Sequence, residues 1–101
     1  MTQGKEIALF CQISAGGFSG ERIAEITKVD GSEQKVLAPR HYCWKPDGEP
    51  LAPDEPRLGH KISGVVAARR LKDLQGGPVL VDTPDGEIFV VSNQTVTKRP
   101  V

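Results

Sequence analysis

The sequence predicts an all-β domain, either a small antiparallel barrel or a sandwich, of five to six short strands. Eleven Gly and eight Pro among 101 residues indicate short elements and many turns. Apolar and polar residues alternate over several short segments, which is typical of half-buried strands. Two Asp-Gly dipeptides, at 30–31 and 85–86, each lie between apolar runs, which is the sequence pattern of a β-hairpin.

The composition is that of one small globular domain. The chain has 13 basic and 13 acidic residues and no formal net charge. This balance weighs against nucleic-acid binding as the main function, since phosphate binding usually shows as excess basic charge. Two Cys are too few for a disulfide scaffold, and the apolar run from Ile7 to Cys11 is too short for a signal peptide. We therefore expect a cytoplasmic protein with reduced thiols and no membrane association.

The first strand is predicted over residues 5–14, where two faces alternate. Its apolar face comprises Ile7, Leu9, Cys11 and Ile13, and its mixed face comprises Glu6, Ala8, Phe10 and Gln12. Segment 21–29 has apolar residues at helical spacing, but it runs directly into the first Asp-Gly turn and a further apolar run. A hairpin of two strands is therefore preferred to a helix.

Residues 45–59 interrupt the strand pattern. They contain four Pro, and the prolines at 50, 53 and 56 repeat every three residues, as in polyproline II. Because proline lacks the amide hydrogen that a central strand needs, this segment is predicted to be a linker or surface strap. It divides a single domain, residues 1–101, into a first β meander, 5–44, and a second β meander, 60–99.

Residues 60–75 leave two interpretations open. A strand from Ile62 to Leu71 continues the all-β pattern. A helix over about 64–75, with Gly76 as its C-cap, is the alternative and would make the fold α+β, because Ala, Arg, Leu and Lys are good helix formers. The runs on both sides of the second Asp-Gly dipeptide then form the clearest hairpin of the chain.

The two halves repeat the same order of signals: apolar segment, glycine loop, strand, Asp-Gly turn, strand. Alignment of KVLAPRHYCW with EIFVVSNQTV places Val36 on Ile88, His41 on Asn93 and Trp44 on Val96, with a first hairpin loop three residues longer than the second. Sequence identity between the halves is negligible, so the shared order indicates either an internal duplication or a coincidence between two ordinary β patterns. Two such meanders would close one small barrel or pack as two facing sheets.

The segments VVSNQTV and APRHYC also resemble the closing part of Src-homology-3-like barrels, where a strand meets a single helical turn before the last strand. The resemblance covers about six residues in each half and implies a fold alone. The aromatic and acidic motifs by which Src-homology-3 domains bind proline-rich ligands are missing here. Among the residues of this chain, Tyr42 and Trp44 are the candidates for such a contact.

The Cys and His residues are candidates for a metal site and for a catalytic pair. The weak metal-ligand candidates are Cys11, His41, Cys43 and His60. They lack the close Cys-x-x-Cys spacing of zinc modules, and free Cys is commonly buried. His41 and Cys43 lie two apart, so in a strand their Cα atoms are about 6.6 Å apart with parallel side chains, a poor geometry for proton transfer. We expect no metal, no cofactor and no catalytic residue.

Two groups of residues are candidate binding surfaces. Tyr42 and Trp44 share one face, with Arg40, Val36 and Ala38, if the strand continues, and would stack on a base or a proline-rich peptide. Trp44 is otherwise a core residue. The second group is basic and comprises Arg69, Arg70, Lys72, Lys98 and Arg99, which would contact RNA or an acidic protein unless it is an ordinary solvated face.

A non-catalytic binding or adaptor module that contacts another protein is the favoured function, because no catalytic group passes its geometric test and the charge is balanced. Its expected binding residues are Tyr42, Trp44 and Arg40. An RNA-binding barrel that uses the face formed by Arg69, Arg70 and Lys72 is the alternative, and an enzyme ranks third.

Overall fold

Strands and turns make up the chain, as the sequence predicts. The computed structural model describes residues 5–100. Its strands are β1 (Lys5–Ala15), β2 (Glu21–Thr27), β3 (Glu33–Pro39), β4 (Cys43–Trp44), β5 (Lys61–Asp73), β6 (Val79–Asp82), β7 (Ile88–Val91) and β8 (Val96–Thr97). Single 3₁₀ turns, Arg40–Tyr42 and Asn93–Thr95, precede β4 and β8. No helix within residues 5–100 is long and apolar enough to cross a membrane.

The helical alternative for residues 64–75 is wrong, because this stretch belongs to β5. That strand pairs antiparallel with β1 over ten residue pairs, from Lys5 opposite Arg70 to Ser14 opposite Lys61. Its Ala and Arg residues favour a helix locally, but the ladder with β1 satisfies the backbone and buries both faces of the strand centre. Tertiary pairing therefore overrides the weak intrinsic preference.

One antiparallel sheet runs in the order β3-β2-β1-β5-β6-β7, with β4 paired to β5 and β8 paired to β1. The sheet curls into a half-barrel whose edges, β3 and β7, are linked by turns. Val29 in the first hairpin turn donates its N–H to the carbonyl of Val90 on β7, at 3.0 Å. Leu37 on β3 donates its N–H to the carboxylate of Asp85 in the second turn, at 2.9 Å. The two hairpin turns thus connect the two edges of the half-barrel.

The inner face of the two central strands carries the core. The alternation predicted for β1 is confirmed, since Ile7, Leu9, Cys11 and Ile13 are all buried. Part of the outer face is covered as well. Ala8, Val65 and Ala67 are buried there, and Val65 borders a depression between the start of the strap and the C-terminal segment.

The two halves are related by a pseudo-two-fold axis. Cys43 of β4 pairs with Val66 of β5, and Val96 of β8 pairs with Leu9 of β1. Leu9 and Val66 also lie opposite each other, so the axis passes between them. Each half therefore contributes its last strand to the first strand of the other half, which agrees with the repeated order seen in the sequence.

The sequence alignment of the halves is displaced by one residue. The strand pairs place Val96 on Cys43 rather than on Trp44. The first hairpin has nine residues between the paired Glu25 and Lys35, whereas the second has five between Asp82 and Ile88. The first hairpin is thus four residues longer because its strands pair two residues further, to Thr27 opposite Glu33. The loops themselves, 28–32 and 83–87, have equal length and place the Asp-Gly dipeptides at equivalent turn positions, so the predicted three-residue difference in loop length is wrong.

Residues 45–60, the strap, are packed against the barrel more firmly than the linker prediction implies. Leu51 belongs to the core and Pro56 is buried. Arg40 donates a hydrogen bond to the carbonyl of Leu51, at 2.8 Å. Arg22, only 3% exposed, donates to the carbonyls of Pro53 and Glu55 at 2.8 and 2.7 Å. Two arginines therefore hold the strap through its backbone.

Candidate binding surface

The 3₁₀ turn before β4 decides where the aromatic residues point. Cys43 is buried in the core together with Val36 and Ala38, while Tyr42 and Trp44 lie outside it, half-buried. The expectation that these two rings share a face with Val36 and Ala38 is wrong, because the turn interrupts the two-residue alternation of β3. Trp44 is likewise not a core residue.

Arg99 occupies the space between the two rings. Its guanidinium carbon lies 5.5 Å from the ring centroid of Tyr42 and 5.7 Å from that of Trp44. These are cation–π distances. The same guanidinium forms an ion pair with Glu6, at 2.9 Å. The aromatic pair predicted to receive a ligand is thus already engaged by an arginine of its own chain.

The remaining predicted residue of that surface, Arg40, turns toward the strap and not toward solvent. Its hydrogen bond to the carbonyl of Leu51 fixes the side chain in a half-buried position. His41, next to it, is exposed and packs on Tyr42 with ring centroids 4.5 Å apart. The structure therefore gives Arg40 a structural contact and brings Tyr42, Trp44 and Arg99 together.

The predicted basic face is divided by strand geometry. Consecutive residues of β5 point to opposite sides, so Arg69 lies on the outer face and Arg70 on the other. Arg69 forms an ion pair with Asp82, and Arg70 forms one with Asp73. Lys72 follows a register irregularity in the pairing with β6 and is exposed. The expected single face of Arg69, Arg70 and Lys72 is not formed.

The weak metal-ligand candidates are also separated. Cys11 and Cys43 are in the core, whereas His41 and His60 are exposed. Among residues 5–100, no three or more His, Cys, Asp and Glu side chains converge on one point.

Both cysteines are free thiols, and we expect them to be unreactive in the folded protein. Burial raises the pKa of Cys43 to about 12, although the positive charge of Arg22 opposes this shift. Burial also raises the pKa of Cys11. Since the thiolate is the nucleophile, labelling by dithiobis(nitrobenzoate) at pH 8 should be at least about a hundredfold slower than in guanidinium chloride. Rapid labelling of either thiol in the folded protein would contradict this expectation.

An open groove lies on the outer face of the two central strands. We call it the Phe10 groove; it has a volume of about 420 Å³. Phe10 is its largest apolar side chain and is 45% exposed. Other residues that line it are Gln12, Glu25, Glu33, Pro46 and Thr95.

Local contacts hold the polar side chains of the Phe10 groove in place. Gln12 donates a hydrogen bond to the hydroxyl of Ser63, at 3.1 Å. Glu33 accepts one from the hydroxyl of Thr27, at 3.0 Å. Lys61 forms an ion pair with Glu25, and its hydrogen bond holds the pKa of that carboxyl below the usual value. The carboxylate of Glu25 is therefore charged at neutral pH.

Comparison of the chain with protein-family models, with curated proteins and with solved structures gave no match. Sequence reasoning did not single out Phe10 or Arg22. A signal for Phe10 existed, because the alternation of β1 already placed this aromatic on the mixed face. For Arg22 the sequence contained no signal, because its partners are backbone carbonyls, which every residue type has. These carbonyls belong to Ser19, Glu21, Pro53 and Glu55.

Proposed function

We propose that the protein is a non-catalytic binding module that contacts another protein through the Phe10 groove. The exposure of Phe10 carries this proposal. On the outer face of β1 and β5, Ala8, Val65 and Ala67 are at most 5% exposed, whereas Phe10 is 45% exposed. An aromatic ring in a groove with a polar rim is the usual anchor site of a protein interface.

Other features of the groove support a protein ligand. Its edges combine uncharged hydrogen-bonding groups, Gln12 and Ser63, with the carboxylates of Glu25 and Glu33. Burying the exposed part of Phe10 would stabilise a complex by about 25 cal/mol for each Å² of apolar surface covered. Pro46 and Thr95 border the groove without covering the ring. This arrangement suits a side chain inserted by a partner.

Quantitative affinity capture from a lysate of the source organism tests the proposal. The Phe10→Ser variant is expected to lose the partner that the unchanged protein retains. The matched control is Phe18→Ser, because Phe18 is 78% exposed but lies in the loop before β2, away from the groove. Both variants should keep the thermal unfolding midpoint of the parent within a few degrees. Equal capture by the Phe10 and Phe18 variants would rule out the groove as the contact.

RNA remains the alternative ligand, and the same preparations test it. Lys5, Arg70 and Lys98 line a surface depression near the C-terminal segment, with Glu6 as its acidic member. Phosphate binding there would show as RNA affinity that falls steeply with salt. Titration with bulk RNA at low and moderate salt is expected to show no such binding. Salt-dependent binding that survives Phe10→Ser would favour RNA over a protein partner.

A further inference from the structure

The pseudo-two-fold axis relates the Phe10 groove to a second groove, in which arginines of the chain engage an aromatic ring and two acids. In β1 and β2, each residue corresponds to the residue 57 positions later, as Leu9 corresponds to Val66. The pair of Gln12 with Glu25 therefore corresponds to the pair of Arg69 with Asp82. From β3 onward the offset is 53, as Cys43 corresponds to Val96. The second groove, of about 280 Å³, is here called the Tyr42 groove and is lined by Glu6, Tyr42, Ala67, Arg69, Asp82 and Arg99.

Each of these six residues has an equivalent in the Phe10 groove, where the acid Glu6 is replaced by the uncharged Ser63. Ala67 is replaced by Phe10, and the acid Asp82 by the acid Glu25. The two arginines have no basic equivalents, however. The position of Arg69 is taken by Gln12, and that of Arg99 by Pro46.

In the Tyr42 groove, two arginines of the chain bind the ring and the acids. Arg99 lies over the ring of Tyr42 and pairs with Glu6, while Arg69 pairs with Asp82. The Phe10 groove has an aromatic ring at a different position, that of Ala67, and it keeps one of the two acids, as Glu25, while Ser63 takes the place of Glu6. It lacks both guanidinium groups. Its equivalent of Tyr42 is Thr95, a smaller residue, which leaves the ring of Phe10 uncovered.

We propose that the Phe10 groove binds an arginine side chain of the partner protein, with the guanidinium stacked on the ring of Phe10 and hydrogen-bonded to Glu25 and Glu33. This inference rests on the proposed function and names the chemistry of the partner. Arginine fits better than lysine because its planar guanidinium both stacks on aromatic rings and binds carboxylates with two parallel hydrogen bonds.

Two lysines already lie close to these acids, and the proposal accounts for both. Lys61 engages one oxygen of Glu25, but its side chain is 58% exposed, so the ammonium moves into solvent at little cost. Lys35 faces Glu25 across the β2–β3 pair and is also exposed. Within residues 5–100, the carboxylate of Glu33 accepts one hydrogen bond, from the hydroxyl of Thr27, and forms no ion pair. A partner guanidinium therefore meets at least one carboxylate that has no cation on it.

NMR titration of the ¹⁵N-labelled protein with three blocked tripeptides, Ala-Arg-Ala, Ala-Lys-Ala and Ala-Gln-Ala, tests the proposal. The arginine peptide should shift the amides of Phe10, Gln12, Glu25 and Glu33 and bind about fivefold or more tightly than the lysine peptide. Glu33→Gln should weaken it about fivefold, whereas Glu87→Gln, an exposed acid in the second hairpin, should leave it unchanged. Equal binding of the arginine and lysine peptides, or shifts confined to other surfaces, would overturn the proposal.

A second variant tests the symmetry argument itself. Gln12→Arg places a guanidinium opposite Glu25, as Arg69 stands opposite Asp82. It should fill the groove and weaken the arginine peptide about fivefold or more without lowering the unfolding midpoint. Unchanged peptide binding by Gln12→Arg would overturn the proposal.

The peptide experiment and the capture experiment test the two proposals separately. Partner capture that depends on Phe10, together with no preference for the arginine peptide, overturns the arginine assignment alone. Partner capture that is indifferent to Phe10 overturns the proposed function.

Discussion

Replacement of Arg22 by methionine is expected to lower the free energy of unfolding by about 2–4 kcal/mol. The guanidinium donates hydrogen bonds of 2.7–2.8 Å to four carbonyls. Two belong to the loop and start of β2, Ser19 and Glu21, and two belong to the strap, Pro53 and Glu55. Methionine fills a similar volume but donates nothing, so these carbonyls lose their partner in a place that water reaches poorly.

Two opposing terms set the size of this effect. Burial of a positive charge is unfavourable, and within residues 5–100 no carboxylate forms an ion pair with Arg22. Methionine removes that cost. Against it stand four hydrogen bonds from a charged donor, each of which contributes about 1.5–3 kcal/mol. The hydrogen bonds outweigh the desolvation, which is why we expect a loss of stability.

Guanidinium-induced unfolding, followed by circular dichroism, measures the change in Arg22→Met. Arg57→Met is the matched control, because Arg57 lies on the same strap but is exposed; it should change the free energy by less than about 0.5 kcal/mol. Limited proteolysis should cleave residues 45–60 faster in Arg22→Met than in the control, since the strap loses two of its anchors. Equal stability of the two variants would show that the four hydrogen bonds only offset the buried charge.

Gly64→Ala is expected to destabilise the protein by about 1–3 kcal/mol. A Cβ atom at this position would clash with the Cδ1 atom of Ile13 and would lie 2.6 Å from the carbonyl oxygen of Trp44. The tip of Ile13 is able to rotate away. The carbonyl of Trp44 is backbone in β4, which pairs with β5 next to this glycine, so relief requires β4 itself to shift.

Gly20→Ala is the matched control for this second prediction, because no atom lies within 4 Å of a Cβ built at Gly20. Chemical unfolding should show a loss in Gly64→Ala and a change below about 0.5 kcal/mol in Gly20→Ala. The fluorescence emission maximum of Trp44, the single tryptophan, is an independent measurement, because Trp44 lies in β4, the strand that must shift. A Gly64→Ala variant as stable as the parent, with unchanged emission, would mean that β4 accommodates the methyl group freely.

Local sequence patterns predicted the strands and turns well. The alternation in β1 is confirmed residue by residue, and both Asp-Gly dipeptides form turns with the glycine at positive φ, 88° at Gly31 and 85° at Gly86. Such φ values favour glycine over residues with a side chain. The helix alternative for residues 64–75 failed because intrinsic preference is weak compared with a ladder of ten residue pairs.

The candidate site was predicted less well, for a geometric reason. The sequence predicted Tyr42 and Trp44, its single Tyr and Trp, as a binding surface. The 3₁₀ turn and Arg99 instead place both rings in contacts within the chain. Phe10 became a candidate only when its exposure was known. Pro46 and Thr95, which border the groove beside Phe10, lie 36 and 85 residues further along the chain.

The sequence by itself favoured the all-β class and determined the hairpins, because these follow from periodicity and turn residues within about ten positions. It left residues 64–75 open between strand and helix. The tertiary structure alone decided that Arg22 is buried against the strap and that Phe10 is open where its equivalent, Ala67, is covered. Burial and cover are set by residues far apart in the chain. The physical reason is that the polarity of a side chain is a property of the residue itself, whereas its burial depends on atoms that other strands bring next to it when they pair.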